Sequence, residues 1–162
     1  MIRALVLAAV LAGAIGCSRT AVRPSGDGSL PPRLRALDFS ARLTSDGSMP
    51  TRLTGEVRVA NRGGTPETLV FADGCPVRVR VYEAQGTRMA PVWEGPRECP
   101  AEPIALAIGA GDSAILPVPA TSAEEILVSG LPDGAYRVTV LLAPESRVIE
   151  IEAGEVDLKT SL

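Results

Sequence analysis

From residue 34 onward, apolar side chains recur at every second position, and this period is the strongest constraint on the fold. In "LDFSARL", Leu37, Phe39, Ala41 and Leu43 fall on one side and Asp38, Ser40 and Arg42 on the other. "EVRVAN" sets Val57 and Val59 against Glu56 and Arg58, and "VRVRVYE" sets Val77, Val79 and Val81 against Arg78 and Arg80. "YRVTVLL" and "RVIEIE" repeat the pattern, with Val138, Val140 and Leu142, then Ile149 and Ile151, on the apolar side. Side chains alternate across a strand, so a period of two with one polar side describes half-buried antiparallel strands. Gly and Asp turns punctuate them at short intervals: "SDGS", "RGGTP", "ADG", "AQG", "GAGD", "LPDG", "AGE". Short strands with frequent turns predict an all-β chain, an antiparallel sandwich of about eight strands over residues 34–162. "TSAEEIL" offers one helical turn and no more.

Composition narrows the chemistry. The chain has no histidine and a formal net charge of −3. Without histidine there is no Ser-His-Asp or Cys-His catalysis, no common zinc site and no ordinary general base near neutral pH. A carboxylate-based hydrolase is the surviving enzyme alternative, and no acidic pair flanking a cleft is visible. The expectation is therefore a non-enzymatic module without cofactor or metal. An acidic chain with scattered arginines lacks the basic face that nucleic acid would require. Asp-Gly pairs begin at Asp27, Asp46, Asp73 and Asp133. They lack the alternating acidic ligands of a calcium loop, and Asp-Gly is a common turn sequence.

The N-terminal segment predicts location. Arg3 precedes an uncharged apolar run from Ala4 to Ile15, shorter than the roughly 20 residues of a membrane span, and small residues follow. "AGAIGC" resembles a bacterial lipobox ending at Cys17. That resemblance implies cleavage after residue 16, diacylglycerol on the Cys17 sulfur and acylation of the new amino group. Each buried CH₂ adds about 0.8 kcal/mol, so two or three chains anchor stably where one does not. Ser18 in place of an aspartate resembles the pattern of lipoproteins sent to the outer membrane. Residues 17–33, rich in Pro, Gly and Ser, follow as a flexible tether. The expected localisation is the bacterial cell envelope, lipid-anchored at the periplasmic face of the outer membrane.

With Cys17 acylated, Cys75 and Cys99 remain, 24 positions apart. In an oxidising compartment such a pair predicts a structural disulfide, because a redox-active pair needs closer spacing. They bracket a hairpin and the segment 90–103, "APVWEGPRECPAEP", which holds Pro91, Pro96, Pro100 and Pro103. Trp93 either plugs the open end of the sandwich, the preferred reading, or stands out as a binding anchor beside Arg97. Trp93 and Arg97 are the candidate partner-binding residues, since aromatic and arginine side chains dominate interface energetics.

"VRVANRGGTPETLVFADG", "RVYEAQGTRMAPVWEG", "IALAIGAGDSA" and "LPDGAYRVTVLL" together resemble the BsuPI-type intracellular proteinase inhibitor domain over about residues 50–143. The matching positions are Val59, Asn61, Pro66, Leu69 and Phe71; Tyr82, Gly86, Val92 and Trp93; Gly111 and Asp112; and Pro132, Gly134 and Tyr136. The resemblance implies an immunoglobulin-like β-sandwich that binds protein, with a protease as the narrowest choice of partner. This chain departs from that family in its export signal, its lipobox and its cysteine pair.

Overall fold

The period-two segments become strands, each burying its apolar row. The computed structural model describes residues 34–84, 90–145 and 147–160; residues 1–16, the 17–33 segment with Cys17, and the turn at Gly86 lie outside these. Its strands are β1 Leu37–Ser45, β2 Arg52–Asn61, β3 Glu67–Phe71, β4 Val77–Glu83, β5 Trp93–Gly95, β6 Ile104–Ile108, β7 Ser113–Ser122, β8 Gly134–Leu142 and β9 Ile149–Leu158. One helical turn, α1 Ala123–Ile126, is capped by the Ser122 hydroxyl, which accepts from the Glu125 amide at 3.2 Å. It runs into a 3₁₀ turn, Leu127–Ser129. No helix among the described residues is long and apolar enough to cross a membrane.

The strands form sheets in the orders β1-β2-β7, β5-β4-β8-β9 and β3-β6, all antiparallel. Assigned in chain order as A-B-E against C′-C-F-G, the first two sheets have the arrangement of an immunoglobulin-like sandwich. Between them lies one apolar cluster. Phe39, Val57, Val59, Leu116 and Val118 meet Val79, Val81, Val138, Val140, Ile149 and Ile151, most of them fully buried. Burying each such side chain contributes about 1.5–3 kcal/mol. The β3-β6 pair closes one flank with Leu69, Phe71 and Ile108.

Two polar side chains fix the corners. Asn61, 1% exposed, donates from Nδ2 to the carbonyls of Thr65, Ile108 and Gly109, and its Oδ1 accepts from the Gly63 amide at 2.9 Å. One amide thereby ties the β2–β3 turn to the β6–β7 turn. Tyr136, near the start of β8, donates its hydroxyl to the Pro132 carbonyl at 2.6 Å. That bond is the tyrosine corner of immunoglobulin-like sandwiches.

The registers also fix which end is which. The chain enters through Leu34–Ala36, and the Arg62 amide donates to the Ala36 carbonyl, so the entry sits beside the β2–β3 turn. At the other end of the same sheet, the Ala123 amide donates to the Thr51 carbonyl, which places α1 beside the β1–β2 turn.

Candidate functional site, a depression between β5 and α1

The segment 90–103 is not merely a connection, because its centre pairs into the four-stranded sheet as β5. Val81 lies opposite Trp93 and Val79 opposite Gly95. Trp93 and Gly95 share the inward side two residues apart, and the indole lies over the glycine. A Cβ on residue 95 would overlap the six-membered ring of Trp93, so glycine is what lets the ring lie flat. Trp93 is 4% exposed and belongs to the core cluster. So deeply buried, it cannot serve as a free-standing anchor, and that reading is set aside. Tryptophan is the largest apolar side chain, and its burial in the cluster makes it a core residue, as the preferred reading expects.

Beyond β5 the chain turns through Pro96, Arg97 and Glu98 to Cys99. The disulfide forms between Cys75 and Cys99, with Cα atoms 5.5 Å apart, as the spacing predicts. It is reinforced by the Gly74 amide, which donates to the Pro100 carbonyl at 2.7 Å. Asp73 braces the same turn: its carboxylate accepts from the Cys75 amide at 3.0 Å and from the Arg78 guanidinium at 2.7 Å. Asp73, Cys75 and Cys99 bring ligand-type atoms within 4.8 Å of one another. Both sulfurs are committed to the disulfide, however, and a metal needs thiolates.

Between this stapled loop and the α1 turn lies a depression of about 410 Å³, lined by Trp93, Pro96, Arg97, Glu98, Glu125 and Val128. Arg97 is exposed and makes no ion pair with a described residue. The structure therefore brings the two sequence candidates to one place, Trp93 as floor and Arg97 as rim. It adds Glu98, Glu125 and Val128, which the sequence did not single out. Val128 is 71% exposed while its neighbours Ile126 and Leu127 are buried. A helical turn rotates about 100° per residue, so three consecutive apolar residues cannot all face inward, and the third is left outside.

Glu94, Glu150 and Glu152 pair with arginines on an open sheet face. Arg80 is held by Glu94 at 2.7 Å and by Glu150 at 3.3 Å, and Arg137 by Glu152 at 2.9 Å. Arg137 also lies 4.5 Å over the Tyr82 ring. Glu150 accepts from the hydroxyls of Tyr82 at 2.6 Å and Thr139 at 2.7 Å. Burial works against the Glu150 charge, but those two hydroxyls and the Arg80 and Arg137 charges outweigh it and hold the carboxyl below its ordinary range. Burial, and the same bond to Glu150, push the Tyr82 hydroxyl up. Glu94 and Glu150 thus converge on one guanidinium over a flat sheet, an arrangement that stabilises strands.

No family model matches the sequence. No curated protein matches it either. Among solved structures, the β-glucosidase of Listeria innocua in complex with gluconolactone shows 19% identity over 75% of this chain, with a TM-score of 0.40. β-Glucosidase 3B of Thermotoga neapolitana shows 18% identity over 76% of the chain, with a TM-score of 0.40. The β-glucosidase of Kluyveromyces marxianus shows 15% identity over 75%, with a TM-score of 0.39. The chain spans 16%, 16% and 14% of the lengths of these three enzymes.

Proposed function

We propose that this chain is a non-enzymatic protein-binding module of the bacterial envelope, anchored by lipid on Cys17, whose contact surface is the depression between β5 and α1. The observation that carries the reading is the composition and rigidity of that depression. It combines an aromatic floor, an exposed arginine, an exposed valine and a loop held by a disulfide and Pro96. Arginine is a usual centre of interfaces, and a braced loop loses little entropy on binding. The α1 side of the depression lies at the end of the sandwich away from Leu34.

Proteinase inhibition, which the BsuPI-type resemblance implies, is the narrower form of this proposal. Its loop would be residues 90–103. The test is photo-crosslinking in envelope membranes with a photoreactive residue at position 128 and, as control, at exposed position 70, which does not line the depression. A discrete adduct from position 128, lost in Arg97→Ala and absent from position 70, is the expected result. Identical adducts from both positions would overturn the assignment of this surface. Stoichiometric inhibition of a serine protease that Arg97→Ala relieves would select the narrower form.

A further inference from the structure

The outer face of the β1-β2-β7 sheet carries charge of the opposite sign to the chain as a whole. Arg42, Arg52, Arg58 and Arg62 project there, with Asp38 and Glu56 as the acidic residues among them, in a chain of net charge −3. Arg62 is paired with Asp38 at 2.8 Å, whereas among the described residues Arg58 donates to the neutral Ser113 hydroxyl at 3.1 Å and to no carboxylate. The neighbouring strand β7 offers no charge on this face. Ile115, opposite Arg58 in the register, is 60% exposed, and Pro117 follows two residues on. The outer face of the other sheet is different: Arg78, Arg80 and Arg137 are each neutralised by carboxylates there.

We infer that the β1-β2-β7 face rests on an anionic lipid surface, Arg52 and Arg58 meeting phosphate headgroups while Ile115 enters the interface. Arginines around an exposed aliphatic side chain suit that boundary, because each basic residue near an anionic bilayer adds attraction and the aliphatic group adds burial. The inference rests on the lipid-anchored reading for its setting. On that reading the face is joined to the surface it meets, so a weak intrinsic affinity suffices.

The core closes within residues 34–158, so the chain from Ser18 onward folds without its lipid and gives a test independent of acylation. Its binding is measured by co-sedimentation with vesicles of phosphatidylcholine alone or with 30% phosphatidylglycerol, a composition chosen for the experiment. Binding to the anionic vesicles only, abolished by high salt, is expected. Arg58→Glu and Arg52→Glu should each weaken it at least about fivefold. Ile115→Glu should do the same, and Arg147→Glu, an equal charge change at an exposed site off this face, should not. Equal binding to neutral vesicles, or an Arg147→Glu loss as large as that of Arg58→Glu, would overturn the inference. So would a dimer that Ile115→Glu dissociates without any vesicle binding, which would assign the face to a second copy. Acylation itself is read separately, by lipid labelling of Cys17.

Discussion

Trp93→Ala together with Gly95→Ala tests how the side of the sandwich is closed. Trp93 is 4% exposed, and truncating a buried tryptophan costs about 3–5 kcal/mol. Because the depression adjoins the ring, solvent can enter the vacated space, which favours the lower half of that range. For a domain of this size each kcal/mol lowers the melting temperature by about 3–5 °C, so Trp93→Ala should lose about 10–15 °C. Gly95→Ala inserts a methyl group where the indole lies, and overpacking of this kind costs about 1–3 kcal/mol. With the indole gone, the methyl loses its two severe overlaps, every other atom lying no nearer than 3.2 Å, and the second substitution should become nearly neutral. Thermal and urea unfolding of the four proteins gives the coupling energy directly. Additive losses, or a Trp93→Ala melting temperature within about 3 °C of wild type, would refute the placement of the ring over Gly95.

Three further outcomes follow from the bonds described. Asn61→Ala frees the carbonyls of Ile108 and Gly109 at a buried corner and should cost about 2–3 kcal/mol in urea unfolding, whereas an exposed change such as Thr68→Ala should cost under about 0.5 kcal/mol. Replacing Cys75 and Cys99 by serine should lower stability by about 3.5 kcal/mol, from the loop of separation 24 that the bond closes; thiol titration of the unfolded wild-type chain, acylated on Cys17, should find no free thiol without reductant. Glu150 has its folded pKa held below the ordinary value of 4.5, so its contribution is complete above that value and disappears as the pH falls through the lowered one. Stability of Glu150→Gln measured from pH 6 to pH 2 should therefore fall less steeply than that of wild type, and parallel curves would count against the network.

The strands that were legible in the sequence, β1, β2, β4, β8 and β9, are those with a charged or hydroxyl residue at nearly every outward position. The alternation is then a contrast between valine and arginine, visible without a structure. β6 reads "IALAI", where the outward residues are alanines, and the contrast vanishes although the geometry is the same. β7 contains Pro117 and Pro119, which mark an edge strand, and an edge of the β1-β2-β7 sheet is where it lies. The cysteine pair was legible because an even pair behind an export signal predicts a disulfide, whereas Tyr136 stood out only as a position of the BsuPI-type resemblance. Asn61 was visible only as a position of the BsuPI-type resemblance at the end of a strand; its partners on Ile108 and Gly109 lie 47 and 48 positions away, and no pattern in the neighbouring sequence encodes them.

The depression shows the same division. Trp93 and Arg97 lie close together in the sequence, and side-chain type alone nominates them. Val128 joins them only because β7 and α1 carry the chain back across the sandwich to β5. What turned a valine into a surface group was the helical turn begun by Ser122. Its cap fixes the direction of Ile126 and Leu127 into the core and leaves Val128 no inward position. Exposure at Val128 and burial at Ile126 are thus one event, set by where the turn starts. Moving that start by one residue, for instance by Ser122→Ala with a new cap at residue 123, should exchange the exposed residue for its neighbour and change the shape of the depression while the sheets remain. Amide exchange of residues 123–130 and crosslinking from position 128 would follow the exchange; an unchanged adduct pattern would mean that the turn's start does not govern this surface.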